Sequence, residues 1–164
     1  MTLTTHSIIA AAVAKPFAYI SPLLVFPVAL ATHYLSDAIP HWDYRLYSVE
    51  HVEHADKRII SKDRSLIVRD LAHIAFDGFL GIALVALITR RVDSQGWLFV
   101  FLASISGMLP DLLQGVYAIT RFPALRPHQR FHDFMHTRIR LGSYPLIGIP
   151  FQLIIFFIAV WFLR

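Results

Sequence analysis

Three stretches of this chain, about residues 66–89, 97–120 and 143–163, are predominantly apolar over the length a helix needs to cross a membrane, roughly 20 residues. Hydrophobic residues make up 56% of the 164 and charged residues 16%, against about 25% charged in a typical soluble domain. Two shorter apolar stretches, about 3–19 and 22–39, precede them. They read as a helical hairpin, with a kink expected at Pro16, Ser21 as N-cap and Pro22 at the first helical position. The fold expected is all-α: one polytopic membrane bundle over 1–164, of about five helices with a short N-terminal hairpin. Two polar loops remain, about 40–65 and 121–142. In the opening run MTLTTHSIIAAAVAK no positive charge precedes the apolar residues, so it reads as a retained helix rather than a cleaved signal.

Lys and Arg placement sets the expected orientation. The two long loops and their edges hold Arg45, Lys57, Arg58, Lys62, Arg64, Arg69, Arg121, Arg126, Arg130, Arg138 and Arg140, whereas Lys15, Arg90, Arg91 and Arg164 lie on the other side. That asymmetry puts the loops and the N-terminus in the cytoplasm and the C-terminus outside, in a bacterial or archaeal cytoplasmic membrane. Near an anionic surface each basic residue would also attract headgroups by about 1 kcal/mol, although topology alone accounts for them. Membrane lipid is the expected partner. Nucleic acid is not, since no recognised binding fold accompanies the charge, and self-association stays open.

Against this apolar background the ionisable residues stand out. His33 and Asp37 in ATHYLSDAIPHWDYR are four apart and so share a helix face, as do His73 and Asp77 in RDLAHIAFDGF. In SISGMLPDLLQG, Ser104, Gly107, Asp111 and Gln114 form a polar stripe, with Pro110 loosening the backbone beside Asp111. His132 and His136 follow in HQRFHDFMH, and His6 opens the first helix. Antiparallel threading brings all of these to one end of the bundle. Asp111 lies roughly 15 Å inside that end, at ~1.5 Å per residue from Arg121.

A carboxylate at mid-bilayer costs about 2.5–3.5 kcal/mol, so Asp37, Asp77 and Asp111 together could cost roughly 7–10 kcal/mol at full depth. A bound divalent cation would offset that and uses His and carboxylate ligands. The chain has no cysteine, which excludes disulfides and thiolate ligation. Zn²⁺ is the expected ion, with Mn²⁺ or Fe²⁺ also compatible. His41 and Asp43 read equally as ligands or as interfacial residues beside the aromatic anchors Trp42 and Tyr44. His51, His54, His128 and Asp133 read as solvated loop residues. Asp70 could orient His73 or favour a helix N-terminus.

The HxxxD pairs, the LPD aspartate, the HDFMHT histidines and the early THS histidine resemble the membrane-bound metal-dependent hydrolases, which are similar in motif pattern to zinc-dependent phospholipase C. The resemblance implies one to three zinc ions, held by His33/Asp37, His73/Asp77, His132, His136 and His6. It further implies that Asp111 is the bridging or base-like aspartate and that the ions activate water against a phosphoester, lipid or lipid-linked, at the cytoplasmic interface. Read without it, the same residues also suit a non-enzyme: an ion- or proton-handling protein, a haem binder using facing histidines, or a scaffold whose polar residues only bridge helices.

Overall fold

A computed structural model describes residues 1–50, 59–90, 94–139 and 141–164. Among these residues the chain is a helical membrane bundle with six α-helices: α1 (Leu3–Ala18), α2 (Val25–Asp37), α3 (Arg64–Thr89), α4 (Ser94–Thr120), α5 (Arg126–Met135) and α6 (Pro145–Leu163). A two-residue antiparallel ribbon, β1 (Val49–Glu50) with β2 (Ile59–Ile60), closes the segment between α2 and α3. His51 and His54, with Lys57, Arg58, Arg91 and Arg140, lie outside the described residues.

Helices α3, α4 and α6 are long and apolar enough to cross a membrane, at about 39, 40 and 28 Å. Their outer faces carry exposed Phe76, Phe79 and Leu87 on α3, and Leu146, Trp161 and Phe162 on α6. Such faces are unfavourable in water and suited to lipid. At about 24 and 20 Å, α1 and α2 are too short to cross a ~30 Å hydrocarbon layer alone, and they form the expected hairpin. A 3₁₀ turn at Pro22–Leu24 precedes α2, with Ser21 accepting the Leu23 N–H. Helix α1 continues through Pro16 to Ala18.

The hairpin's first helix is the hub. α1 packs against α2, α3, α4 and α6, and Ile8, Ala10, Ala11 and Ala14 on it are fully buried. Its small side chains let neighbours approach closely, the usual route to tight packing where lipid supplies no hydrophobic drive. Gly81 of α3 sits so near α1 that an added Cβ would fall 2.6 Å from Ser7 Oγ. At Gly107 of α4 it would fall 2.6 Å from Ala10 Cβ and 3.0 Å from the His6 carbonyl oxygen.

The polar loop expected over about 121–142 contains a 3₁₀ turn, Pro123–Leu125, and then α5. This helix is too short and too polar to register by apolar length. Its signal is amphipathic spacing: Gln129 and His132, three apart, face inward while Arg126, Arg130 and Phe134 face outward. Pro127 occupies its first turn, where a missing N–H costs nothing.

Gly107→Ala should destabilise the protein despite alanine's higher helix propensity, because both crowding atoms are rigid. A loss of about 1–3 kcal/mol is expected, as for other overpacked cores, read as a lower thermal unfolding midpoint in detergent.

A candidate metal centre around Asp37

Four helices and two turns deliver donor atoms to one point. His6 comes from the first turn of α1, His33 and Asp37 from the end of α2, Asp111 from α4 and His132 from α5. His41 and His136 follow in the turns after α2 and α5. Backbone hydrogen bonds hold those two turns together, Thr137 N–H to the Asp37 carbonyl and Leu141 N–H to the His41 carbonyl. His41 and His136 therefore lie side by side, ring centroids 4.9 Å apart.

Two donor groups result and share Asp37: His33, Asp37, Asp111 and His132, then Asp37, His41 and His136. In the first, His33 Nε2 is 3.2 Å from both Asp37 Oδ2 and His132 Nε2 and 3.8 Å from Asp111 Oδ1. His132 Nε2 is 3.3 Å from both carboxylates. Ligands at ~2.0–2.1 Å from a tetrahedral ion are about 3.3 Å apart, so these separations suit a four-coordinate ion. The other oxygen, Asp37 Oδ1, turns away from this group: it is 3.1 Å from His6 Nε2 and 3.8 Å from His41 Nε2. Asp37 would thus offer one oxygen to each donor group. His6 Nε2 also lies 3.6 Å from Asp111 Oδ2.

The opposite ring nitrogens explain why the Nε2 atoms converge. His33 Nδ1 donates to the Gly107 carbonyl and His41 Nδ1 to the Ile39 carbonyl. The Ser36 hydroxyl donates to the His33 carbonyl, so its oxygen is left to accept from His6 Nδ1. His136 Nδ1 donates to the Thr137 carbonyl. His132 Nδ1 is 3.0 Å from the Gln114 amide, whose carbonyl end can accept once the amide is turned over. Fixing Nδ1–H leaves a bare lone pair on Nε2, the arrangement metal-binding histidines use.

The centre accordingly carries unmet demand. His6 Nε2, both Asp37 oxygens and His41 Nε2 are buried without a hydrogen-bond partner. The 3.1 Å approach of His6 to Asp37 is close, but it is out of hydrogen-bond alignment. Met1 N, 3.5 Å from Asp37 Oδ1 and 2.5 Å from Asp43 Oδ1, brings positive charge to the rim. At His132, burial pulls the imidazole pKa down, but the Asp111 and Asp37 carboxylates outweigh it and raise it to about 9. Orphaned buried donors and a mixed His/Asp set fit a divalent cation, and these clusters could hold one.

The second HxxxD pair has a different role. Asp77 accepts from Leu3 N–H at 2.7 Å, Thr4 N–H at 3.2 Å, the Thr4 hydroxyl at 2.6 Å and the Tyr44 hydroxyl at 3.2 Å. It caps the free N–H groups of α1, where a carboxylate also meets the helix dipole, and this absorbs its oxygens. His73 is exposed, with its ring stacked on Tyr44 at 4.3 Å. The pair therefore clamps Tyr44 and the start of α1 and is not among the gathered donors. Asp70 accepts the Ser48 N–H at 2.6 Å and pins the loop before β1, rather than orienting His73. His128 sits one turn before His132, ring centroids 6.2 Å apart, outside both groups. Sequence reasoning missed Ser36 and the inward turn of Tyr44; its only hint of Ser36 was a hydroxyl beside Asp37.

Asp111, His132, His136 and Asp43 face a cavity of about 270 Å³. Asp111 has a side chain 24% exposed while Asp37 is at 2%, so one carboxylate is sealed and the other reaches open space. Comparison with protein-family models, with curated proteins and with solved structures finds no match to this chain.

Metal analysis of purified protein is expected to show bound divalent metal that Asp37→Ala abolishes, because both donor groups lose their shared ligand. His136→Ala should reduce the content without abolishing it, and His73→Ala should leave it at the wild-type level. Asp77→Ala should instead lower the unfolding midpoint, at a cost of about 1–3 kcal/mol for buried donors left unpaired.

Proposed function

We propose that this chain is a membrane-embedded, metal-dependent hydrolase, with zinc as its ion, that cleaves a phosphoester at the cytoplasmic face. The observation that carries the reading is a ligand set sealed on one side and open on the other. A purely structural metal site closes its coordination, whereas a catalytic one keeps a position free, and here Asp111 and His132 border both the donor cluster and the cavity. The resemblance to the membrane-bound metal-dependent hydrolases supports it through His6, His33, Asp37, Asp111, His132 and His136, without His73 and Asp77.

Asp37, His33 and His132 would hold the ion, with His6, His41 and His136 around the second oxygen of Asp37. A divalent ion there supplies Lewis acidity, bringing water toward deprotonation near neutral pH and stabilising negative charge on a phosphoryl oxygen. Asp111 then serves as the base. It takes a proton from water as the water oxygen bonds to phosphorus. The phosphorus–oxygen bond to the leaving group breaks, its electron pair stays on the departing oxygen, and Asp111 returns the proton there. Gln114 keeps His132 oriented through this exchange. A porphyrin is a poor alternative occupant, since the facing Nε2 atoms of His33 and His132 are too close to sandwich its plane.

Orientation follows from the described basic residues. Arg45, Lys62, Arg64, Arg69, Arg121, Arg126, Arg130 and Arg138 stand toward the end of the bundle that carries the centre, against Lys15, Arg90 and Arg164 toward the other. By the positive-inside rule this asymmetry supports a cytoplasmic site.

The purified protein is expected to hydrolyse a chromogenic nitrophenyl phosphodiester, to lose activity on chelation and to regain it with zinc. Asp111→Asn should lower kcat by about 10²–10⁴ at saturating metal, the usual worth of a positioned base. Metal-loaded protein inert toward phosphoesters would overturn the proposal.

A further inference from the structure

The cavity beside the centre is not uniformly polar, and its walls bear on what the centre acts upon. Ligands Asp111, His132 and His136 occupy one end. The rest of the lining includes apolar Ile67, Leu71 and Ile74 of α3 and Ala118 and Ile119 of α4, with Gly115 between, and polar Asp70, whose carboxylate is occupied by the Ser48 N–H. From Asp111 to Ile119 the α4 wall runs about 12 Å. A volume of about 270 Å³ is small for a ligand pocket, where roughly 300–1,000 Å³ is usual, and spread along that wall it leaves room for one alkyl chain. Leu71 is 50% exposed and Ile119 62%, so the apolar walls continue onto the outer surface and the cleft is not closed off. At Gly115 an added Cβ would meet no described residue within 4 Å. A glycine inside a helix weakens it, and no neighbouring helix requires this one. What it leaves is empty volume in the cleft wall.

We propose that the substrate is an amphiphile, its phosphoryl group at the metal centre and a single alkyl chain lying in the cleft between α3 and α4, with Gly115 setting how much chain fits. This rests on the hydrolase reading above. A small hydrophilic phosphoester would leave these walls unused, whereas an alkyl chain would fill them.

The test uses the full chain in lipid nanodiscs and a dodecylphosphonate carrying a diazirine at the chain end, whose carbon–phosphorus bond resists hydrolysis. Photolabelling followed by peptide mapping should place the label on Ile67–Ile74 and Gly115–Ile119. Unlabelled dodecylphosphonate should compete and methylphosphonate should not. Gly115→Leu, which fills the open volume without a backbone clash, should cut this labelling at least tenfold. Labelling of lipid-facing α6 should stay constant and so control for partitioning into the bilayer. Metal content is measured on the same samples. Label spread evenly over α6 and the outer helix faces, or cleft labelling unchanged in Gly115→Leu, overturns the chain site. Absence of bound metal with cleft labelling intact overturns the hydrolase reading instead.

Discussion

A sealed carboxylate ringed by imidazoles is the constraint around which this molecule is arranged. Asp37 has almost no contact with solvent, and neither of its oxygens finds a hydrogen-bond donor. A buried charge left so is strongly unfavourable, and the Met1 ammonium, 3.5 Å from Oδ1, offsets it on one side only. The histidines nearest to it have committed Nδ1–H elsewhere and present lone pairs. A positive charge between the donors would resolve the arrangement, and the cluster could hold a divalent ion there. Neighbouring features serve this point. Gly107 gives α1 room to bring His6 within reach and lends its carbonyl to orient His33. The turn after α5 pairs with the turn after α2 and so sets His136 beside His41.

The two HxxxD motifs show how little spacing alone decides. His33–Asp37 and His73–Asp77 share the same four-residue offset on a helix face. Asp37 ends α2, where no free N–H groups face it. Asp77 meets the start of α1, whose first N–H groups are unpaired by construction, and they occupy it. His73 is left outward, against an aromatic ring. The chemistry of each pair is set by the helix end opposite it, a long-range fact that no local window contains.

What could be read in advance follows the same division. Spanning helices depend on length and apolarity, properties of the segment itself, and α3, α4 and α6 were legible to within a few residues. The hairpin was too, from Ser21, Pro22 and the alanines. The gathering of His6, His33, Asp37, Asp111, His132 and His136 at one end followed from antiparallel threading. α5 was not legible as a helix, because ten polar residues with two inward positions resemble a loop when apolar content is the criterion. Nor was the membership of His41, which depends on the backbone pairing of two turns far apart in sequence. Ser36 and Tyr44 act through partners on other helices, and the sequence offered only their proximity to motif residues.

The central place of α1 has a consequence for biogenesis. This helix is translated before every helix that surrounds it, its hairpin partner included. Too short to cross the bilayer unaided, it must wait until α3, α4 and α6 have been inserted before its alanine surface is enclosed. His6 therefore reaches its position only once chain assembly is nearly complete. Any cation held there would then be loaded at the end of maturation, and a half-built chain would present the membrane with an incomplete cage.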